Sequence, residues 1–131
     1  MTTDVMTLQF DQPDVLKTVD SLSDDELDLL DFGVIGFDRD NFVHRYNRWE
    51  SKMAGLSRDR VIGNRLFTTV APCMNNFMIA QRFEDAIAAA EALDATIDYV
   101  FTLRMRPVKV RLRLLAAPEH SHCYVLVLRG L

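Results

Sequence analysis

Short apolar groups set in an acidic stretch mark the first thirty residues of the chain. Ser23 and Glu26 have the spacing of a capping box, which predicts the start of a short helix. Residues 13–19 are compatible with another short helix. We therefore expect an N-terminal helical cap that lies over the main domain and is held by only modest burial.

A strand-like pattern follows the predicted cap. Apolar runs at residues 32–37 and 42–46 flank the turn-forming residues 38–41, and this arrangement predicts a β-hairpin. Asn47 is a good N-cap residue, so we expect it to open a short helix that Gly55 ends. The hairpin and this helix meet where the chain changes from period 2 to helical spacing.

The second half of the chain predicts one long helix and three strands. Apolar residues recur at helical spacing over residues 77–93, which indicates a helix with one face packed on a sheet. Strands are predicted at 96–105, 108–116 and 121–128, with proline in both connections. Together with the hairpin, these elements predict an α+β fold with a five-stranded antiparallel sheet flanked by helices.

Composition limits the classes of protein to consider. The chain has 131 residues, 49% hydrophobic and 26% charged, which fits one globular domain. No stretch approaches the ~20 apolar residues that span a bilayer, and the N-terminus does not resemble a secretion signal. We therefore expect a cytoplasmic protein that does not interact with membranes.

Charge argues against a nucleic-acid partner, since the net charge is -4 and the pI is near 5.3. Lys109, Arg111 and Arg113 alternate with apolar residues and would share one face of a strand. A solvated sheet face is the favoured interpretation of these three residues, and a phosphate-binding stripe is the less favoured one.

Two cysteines are the first candidates for chemistry. In this context neither suggests a disulfide framework, and Cys123 within the last predicted strand has the features of a buried structural thiol. Cys73, between predicted helices, is either a small buried residue or a reactive thiol. A nucleophile and base pair of Cys73 with His44, His120 or His122 is an alternative that the sequence leaves open.

Tyr46 and Glu50 are the second candidate pair. They are four residues apart across the boundary between the hairpin and the following helix, so both side chains can reach one small volume. Considered alone, Glu50 is better interpreted as an exposed carboxylate that interacts with the dipole of a helix N-terminus.

The order and spacing of several short motifs resemble the photoactive yellow protein family, a branch of the PAS fold. The most specific part is Tyr46-Asn47 with Glu50, followed at family spacing by Val70-Ala71-Pro72-Cys73. The other matching segments are Leu27-Asp28, Phe32-Gly33, Val61-Ile62-Gly63, Phe67, Phe83, Tyr99, Phe101, Met105, Pro107 and Lys109-Val110.

This resemblance implies a blue-light photoreceptor rather than an enzyme. Cys73 would carry 4-hydroxycinnamic (p-coumaric) acid as a covalent thioester, and Tyr46 and a protonated Glu50 would hydrogen-bond to its buried phenolate. Light would isomerise the chromophore from trans to cis, and Glu50 would then pass its proton to the phenolate. Release of the cap, residues 1–26, from a PAS core of residues 27–131 would signal to an unidentified downstream protein.

The resemblance also implies the rest of the chromophore pocket and shows where this chain departs from the family. Ala54 and Leu56 replace a threonine and an arginine that are common in the family, and Leu66 and Leu103 replace a phenylalanine and a tyrosine. The full expected pocket comprises Tyr46, Glu50, Ala54, Leu56, Leu66, Val70, Ala71, Pro72, Cys73, Phe101, Leu103 and Met105. A PAS module that binds a ligand noncovalently, or only mediates protein contacts, is the alternative function.

Overall fold

The structure is a computed structural model that describes residues 8–102 and 106–130. The expected pocket residues Leu103 and Met105, the first seven residues of the expected cap and Leu131 lie outside the described residues. In chain order the elements are α1 (Val15–Ser21), α2 (Asp24–Leu27), β1 (Gly33–Phe37), β2 (Val43–Tyr46), α3 (Arg48–Ala54), α4 (Arg58–Val61), a π-helical turn (Leu66–Val70), a 3₁₀ turn (Pro72–Met74), α5 (Ala80–Ala89), β3 (Leu93–Phe101), β4 (Val108–Ala116) and β5 (Cys123–Leu128).

The five strands form one antiparallel sheet in the order β2-β1-β5-β4-β3. The first hairpin therefore lies beside the last strand, with Ile35 of β1 opposite both Tyr46 of β2 and Val125 of β5. β1 is buried along its whole length, because protein covers both faces of the sheet there. The predicted α+β architecture is confirmed.

Local signals predicted the short helices well. Ser23 and Glu26 form the capping box that opens α2, and the Asn47 side chain caps α3. Gly55 ends α3 in the left-handed conformation, with φ of 70°. Such a φ costs glycine little and other residues more, which explains why the helix ends there.

The prediction of a long helix over residues 77–93 was wrong at both ends. Asn76 accepts hydrogen bonds from the backbone of Met78 and Ile79, and this turn delays the start of α5 until Ala80. Ala90 adopts a left-handed conformation with φ of 52° and ends the helix. The chain then enters β3 at Leu93, three residues before the predicted strand.

The N-terminal segment packs on the sheet face opposite α3–α5, and its burial is extensive. The side chains that the segment buries there are between 0 and 7% exposed: Leu8, Phe10, Val15, Val19 and Leu22. They meet Val34, Leu115, Tyr124 and Leu126 from the sheet. The expectation of only modest burial was wrong, because this face of the central strands is apolar and needs a cover.

Two arginines of the sheet also attach the N-terminal segment. Arg113 of β4 is 6% exposed and donates hydrogen bonds to the carbonyl oxygens of Phe10 and Gln12 at 3.0 and 2.7 Å, and to the Asp94 carboxylate. Arg45 of β2 donates to carbonyl oxygens of the same segment. The interpretation of Arg113 as part of a solvated face was therefore wrong, since the cap covers its strand face.

No helix among residues 8–102 and 106–130 is both long enough and apolar enough to cross a membrane.

Candidate functional site

Asn47 fixes the junction between β2 and α3. Its side-chain oxygen accepts hydrogen bonds from the backbone N–H groups of Val34 and Glu50, at 3.0 and 3.1 Å. Its amide donates to the carbonyl oxygens of Leu27 and Phe32, at 2.9 and 3.0 Å. Because all these groups are buried, the network holds the first turn of α3 against β1 and directs Glu50 into the interior.

Glu50 is 3% exposed and forms a bidentate ion pair with Arg129, the residue that follows β5. The Arg129 guanidinium donates to both carboxylate oxygens, at 2.6 and 3.0 Å. It also lies over the Phe101 ring, with its central carbon 5.6 Å from the ring centroid. Burial raises the pKa of Glu50, and the hydrogen bonds and charge of Arg129 oppose that increase.

Tyr46 is buried close enough to Glu50 for the two groups to interact electrostatically, in line with their four-residue spacing. The tyrosine is 4% exposed, and burial followed by the nearby Glu50 charge raises the pKa of its phenol. The charge of Arg129 opposes the increase. Tyr46 therefore keeps its proton at neutral pH and can act as a hydrogen-bond donor.

Gly33 of β1 leaves the space that the Glu50 carboxyl occupies. A Cβ atom at Gly33 would lie 2.1 Å from Oε1 of Glu50 and 3.0 Å from its carboxyl carbon. Atoms cannot approach so closely, so any larger residue would force the carboxyl away from its present position. The absence of a side chain at Gly33 is thus part of the site.

We expect Gly33→Ala to fold but to break the bidentate geometry between Glu50 and Arg129, because the added methyl group displaces the carboxyl. Infrared titration of the Glu50 carboxyl, with Glu50→Gln as the reference, should show a higher pKa than in the parent. Gly63→Ala serves as the control for backbone strain without a side-chain clash, since its φ of 86° makes alanine costly there but no atom lies within 4 Å of the added Cβ. An unchanged Glu50 titration in Gly33→Ala would contradict the close approach.

Cys73 lies in the 3₁₀ turn between Pro72 and Met74, and its side chain is partly exposed. Tyr99 donates a hydrogen bond to the Cys73 carbonyl oxygen at 2.5 Å, and the Asn76 amide donates to the same oxygen at 3.2 Å. Burial raises the pKa of the thiol, against smaller lowering effects of backbone hydrogen bonds. The turn is thus held in place at a residue that is partly exposed.

Most of the other expected pocket residues belong to the same core. Tyr46, Leu66, Ala71 and Phe101 are buried members of one hydrophobic cluster, and Leu56, Val70 and Cys73 pack against it. Ala54 is half-buried at the end of α3. Pro72 is exposed at the start of the 3₁₀ turn.

The histidines are engaged elsewhere. His44 contacts Asp38 at 2.7 Å, and its ring stacks at 5.1 Å with that of His122. His120 contacts Asp20 of α1 at 2.8 Å. Within the part of the chain that the structure describes, no histidine contacts Cys73, so the proposed nucleophile and base pair gains no support.

Sequence reasoning missed Arg129. The residue is separated from Glu50 by 79 positions, and no local motif links them. A basic residue directly after an otherwise apolar strand was the available signal, but it did not indicate which carboxylate the arginine would meet.

Comparison with known proteins identifies the family of the chain. It is 30% identical over 122 residues to a photoactive yellow protein of Rhodothalassium salexigens, covering 93% of this chain and 97% of that protein. The chain belongs to the photoactive yellow protein family. No family model matches the sequence.

Solved structures agree with membership of the photoactive yellow protein family. The photoactive yellow protein domain of the sensor histidine kinase Ppr from Rhodospirillum centenum superposes with a TM-score of 0.77 and is 39% identical, covering 85% of this chain and 96% of that domain. The PAS domain of the quorum-sensing receptor RpfR from Cronobacter turicensis has a TM-score of 0.60 at 14% identity, covering 78% of this chain and 96% of that domain. The latter similarity concerns the fold alone, and the predicted PAS fold is confirmed.

Proposed function

We propose that this chain is a blue-light photoreceptor that carries p-coumaric acid as a thioester on Cys73. One observation carries the proposal within this family: the partly exposed Cys73 packs against the buried cluster that contains Tyr46, and Tyr46 in turn is close enough to the buried Glu50 for that charge to raise the pKa of its phenol. The thiol supplies the attachment point. The other two side chains supply polar groups inside an otherwise apolar volume.

The residues present fit a buried phenolate. An isolated anion in an apolar interior is costly, so it needs charge-assisted donors or a cation. Tyr46 supplies a hydroxyl that stays protonated, Glu50 supplies a carboxyl whose pKa burial raises, and Arg129 supplies positive charge. Leu66 and Phe101 supply apolar walls.

The chromophore, when bound, supplies a double bond that isomerises from trans to cis on absorbing light. Glu50 then gives up its carboxyl proton to the phenolate oxygen and becomes negatively charged. This charge change in the buried site destabilises the packed state, and the cap, residues 1–26, separates from the core of residues 27–131 as the signal. A downstream signalling protein, not yet identified, would read the release, and the chain itself would catalyse no reaction.

We expect purified protein mixed with activated p-coumarate to become yellow and to gain the mass of one chromophore. Cys73→Ser should stay colourless, whereas Cys123→Ser should become as yellow as the parent. Cys123 is the matched control because it is 3% exposed and burial raises the pKa of its thiol to about 11. Intact mass and absorption spectra provide the measurement.

Two results would contradict this assignment. Equal labelling of both cysteines would show that Cys73 is not a specific attachment site. Absence of labelling in the parent would favour the alternative of a PAS module that binds a ligand noncovalently or mediates protein contacts.

A further inference from the structure

The pair formed by Glu50 and Arg129 is the most deeply buried bidentate ion pair described in this structure, with side chains 3% and 10% exposed. In the described part of the chain, the titratable or charged groups that face Glu50 are Arg129, beyond β5, and Tyr46, at the end of β2. Both carboxylate oxygens act as acceptors for Arg129. This geometry matches an ionised Glu50, because a protonated carboxyl has only one oxygen free of hydrogen.

The proposed function requires a different charge on Glu50. With a buried phenolate present, Glu50 must hold a proton to act as its donor, so the negative charge of the site would reside on the phenolate. In the structure itself, the Glu50 carboxylate is paired with Arg129. In both cases the site holds one negative and one positive charge, which avoids a second uncompensated ion in the interior.

We propose that Arg129 is a positioning residue that acts through Glu50. It pairs with the Glu50 carboxylate whenever the site holds no other anion. It therefore also stabilises the negative charge that Glu50 acquires when it gives up its proton after light absorption. The second part of this inference rests on the proposed function, whereas the first concerns the chain alone.

The chromophore-free protein tests the first part by infrared spectroscopy. We expect the parent to lack a protonated Glu50 band at neutral pH and to gain one on acidification, with Glu50→Gln as the reference that lacks the band at every pH. Arg129→Gln should show the band already at neutral pH, because loss of the cation raises the carboxyl pKa. Arg129→Lys keeps the charge but loses the bidentate fork, so its titration should fall between the two.

Arg111→Gln is the matched control, since Arg111 pairs with the exposed Asp98 on the sheet and should leave the Glu50 titration unchanged. A parent that shows the protonated band at neutral pH as strongly as Arg129→Gln does would overturn the inference. If Arg129→Gln does not fold, the parent is compared with Arg129→Lys instead. Equal titration of the Glu50 carboxyl in these two proteins would overturn the inference.

The loaded protein tests the second part. Recovery of the dark absorption after a flash should be faster in Arg129→Gln than in the parent, because loss of the cation destabilises the Glu50 carboxylate that persists until the dark state reforms. An increase of roughly tenfold would correspond to about 1.4 kcal/mol of lost carboxylate stabilisation. An unchanged recovery rate would overturn this part. Failure of the parent to bind p-coumarate would instead refute the proposed function and leave the chromophore-free result standing.

Discussion

Glu50→Gln should destabilise the chromophore-free protein by about 3–5 kcal/mol, the cost of leaving one member of a buried ion pair without its partner. The amide can accept one hydrogen bond from Arg129, but its NH₂ group then faces a guanidinium donor. Chemical denaturation of parent and variant measures the difference in the free energy of unfolding. In loaded protein, the same substitution should shift absorption to longer wavelength and remove the proton source.

The matched control for this prediction is the double variant Glu50→Gln with Arg129→Gln. Removing both charges should restore much of the stability, because the cost lies in the unpaired guanidinium rather than in the loss of the pair itself. If the double variant is as unstable as the sum of the two single variants, the residues do not interact. If Glu50 is the proton donor, light-minus-dark infrared spectra of the loaded parent should show the loss of a protonated carboxyl band, and Glu50→Gln should not. Absence of this loss in the parent would refute the donor role of Glu50.

The features that sequence predicted well depend on local contacts. The capping box of Ser23 and Glu26, the Asn47 cap and the end of α3 at Gly55 all involve residues a few positions apart. The closeness of Tyr46 to Glu50 followed from the same kind of spacing. Family resemblance singled out Cys73, which local reasoning could not distinguish from an ordinary small buried residue, and its role as attachment site stays a prediction.

The features that sequence missed depend on which surfaces meet. Arg129 reaches Glu50 across 79 positions, and Arg113 reaches the Phe10 carbonyl across 103. Alternation of charge along β4 predicted correctly that its basic residues share a face. It could not show that the N-terminal segment covers part of that face, so Arg113 was assigned to solvent.

Strand β5 contributes side chains to the hydrophobic clusters on both faces of the sheet. Its residues Val125 and Val127 belong to the cluster around the candidate site, whereas Tyr124 and Leu126 belong to the cluster under the cap. Arg129 follows directly. A change in charge at Glu50 therefore occurs next to a strand that also supports the cap, which makes cap attachment a property worth measuring independently of light.

Arg113→Met should weaken attachment of the N-terminal segment in the dark. The substitution keeps apolar volume but removes the donors to the Phe10 and Gln12 carbonyl oxygens and to Asp94. Hydrogen bonds from a charged group contribute ~1.5–3 kcal/mol each. The two bonds to the carbonyl oxygens therefore give an expected loss of about 3–6 kcal/mol, to which the half-exposed Asp94 adds little. Amide hydrogen exchange should become faster over residues 8–27 and change less in β1 and β5, because the sheet keeps its own ladder.

Arg111→Met tests whether this effect is specific to the clamp on the cap. Arg111 lies two residues away on the same strand, and both side chains of its ion pair with Asp98 are exposed to solvent. Its removal should therefore change amide hydrogen exchange in the N-terminal segment little. Equal exchange in the two variants would show that Arg113 does not hold the cap. If Arg113→Met alone opens the segment, the cap depends on a polar clamp as well as on apolar packing. The loaded variant should then release it in the dark more often than the parent.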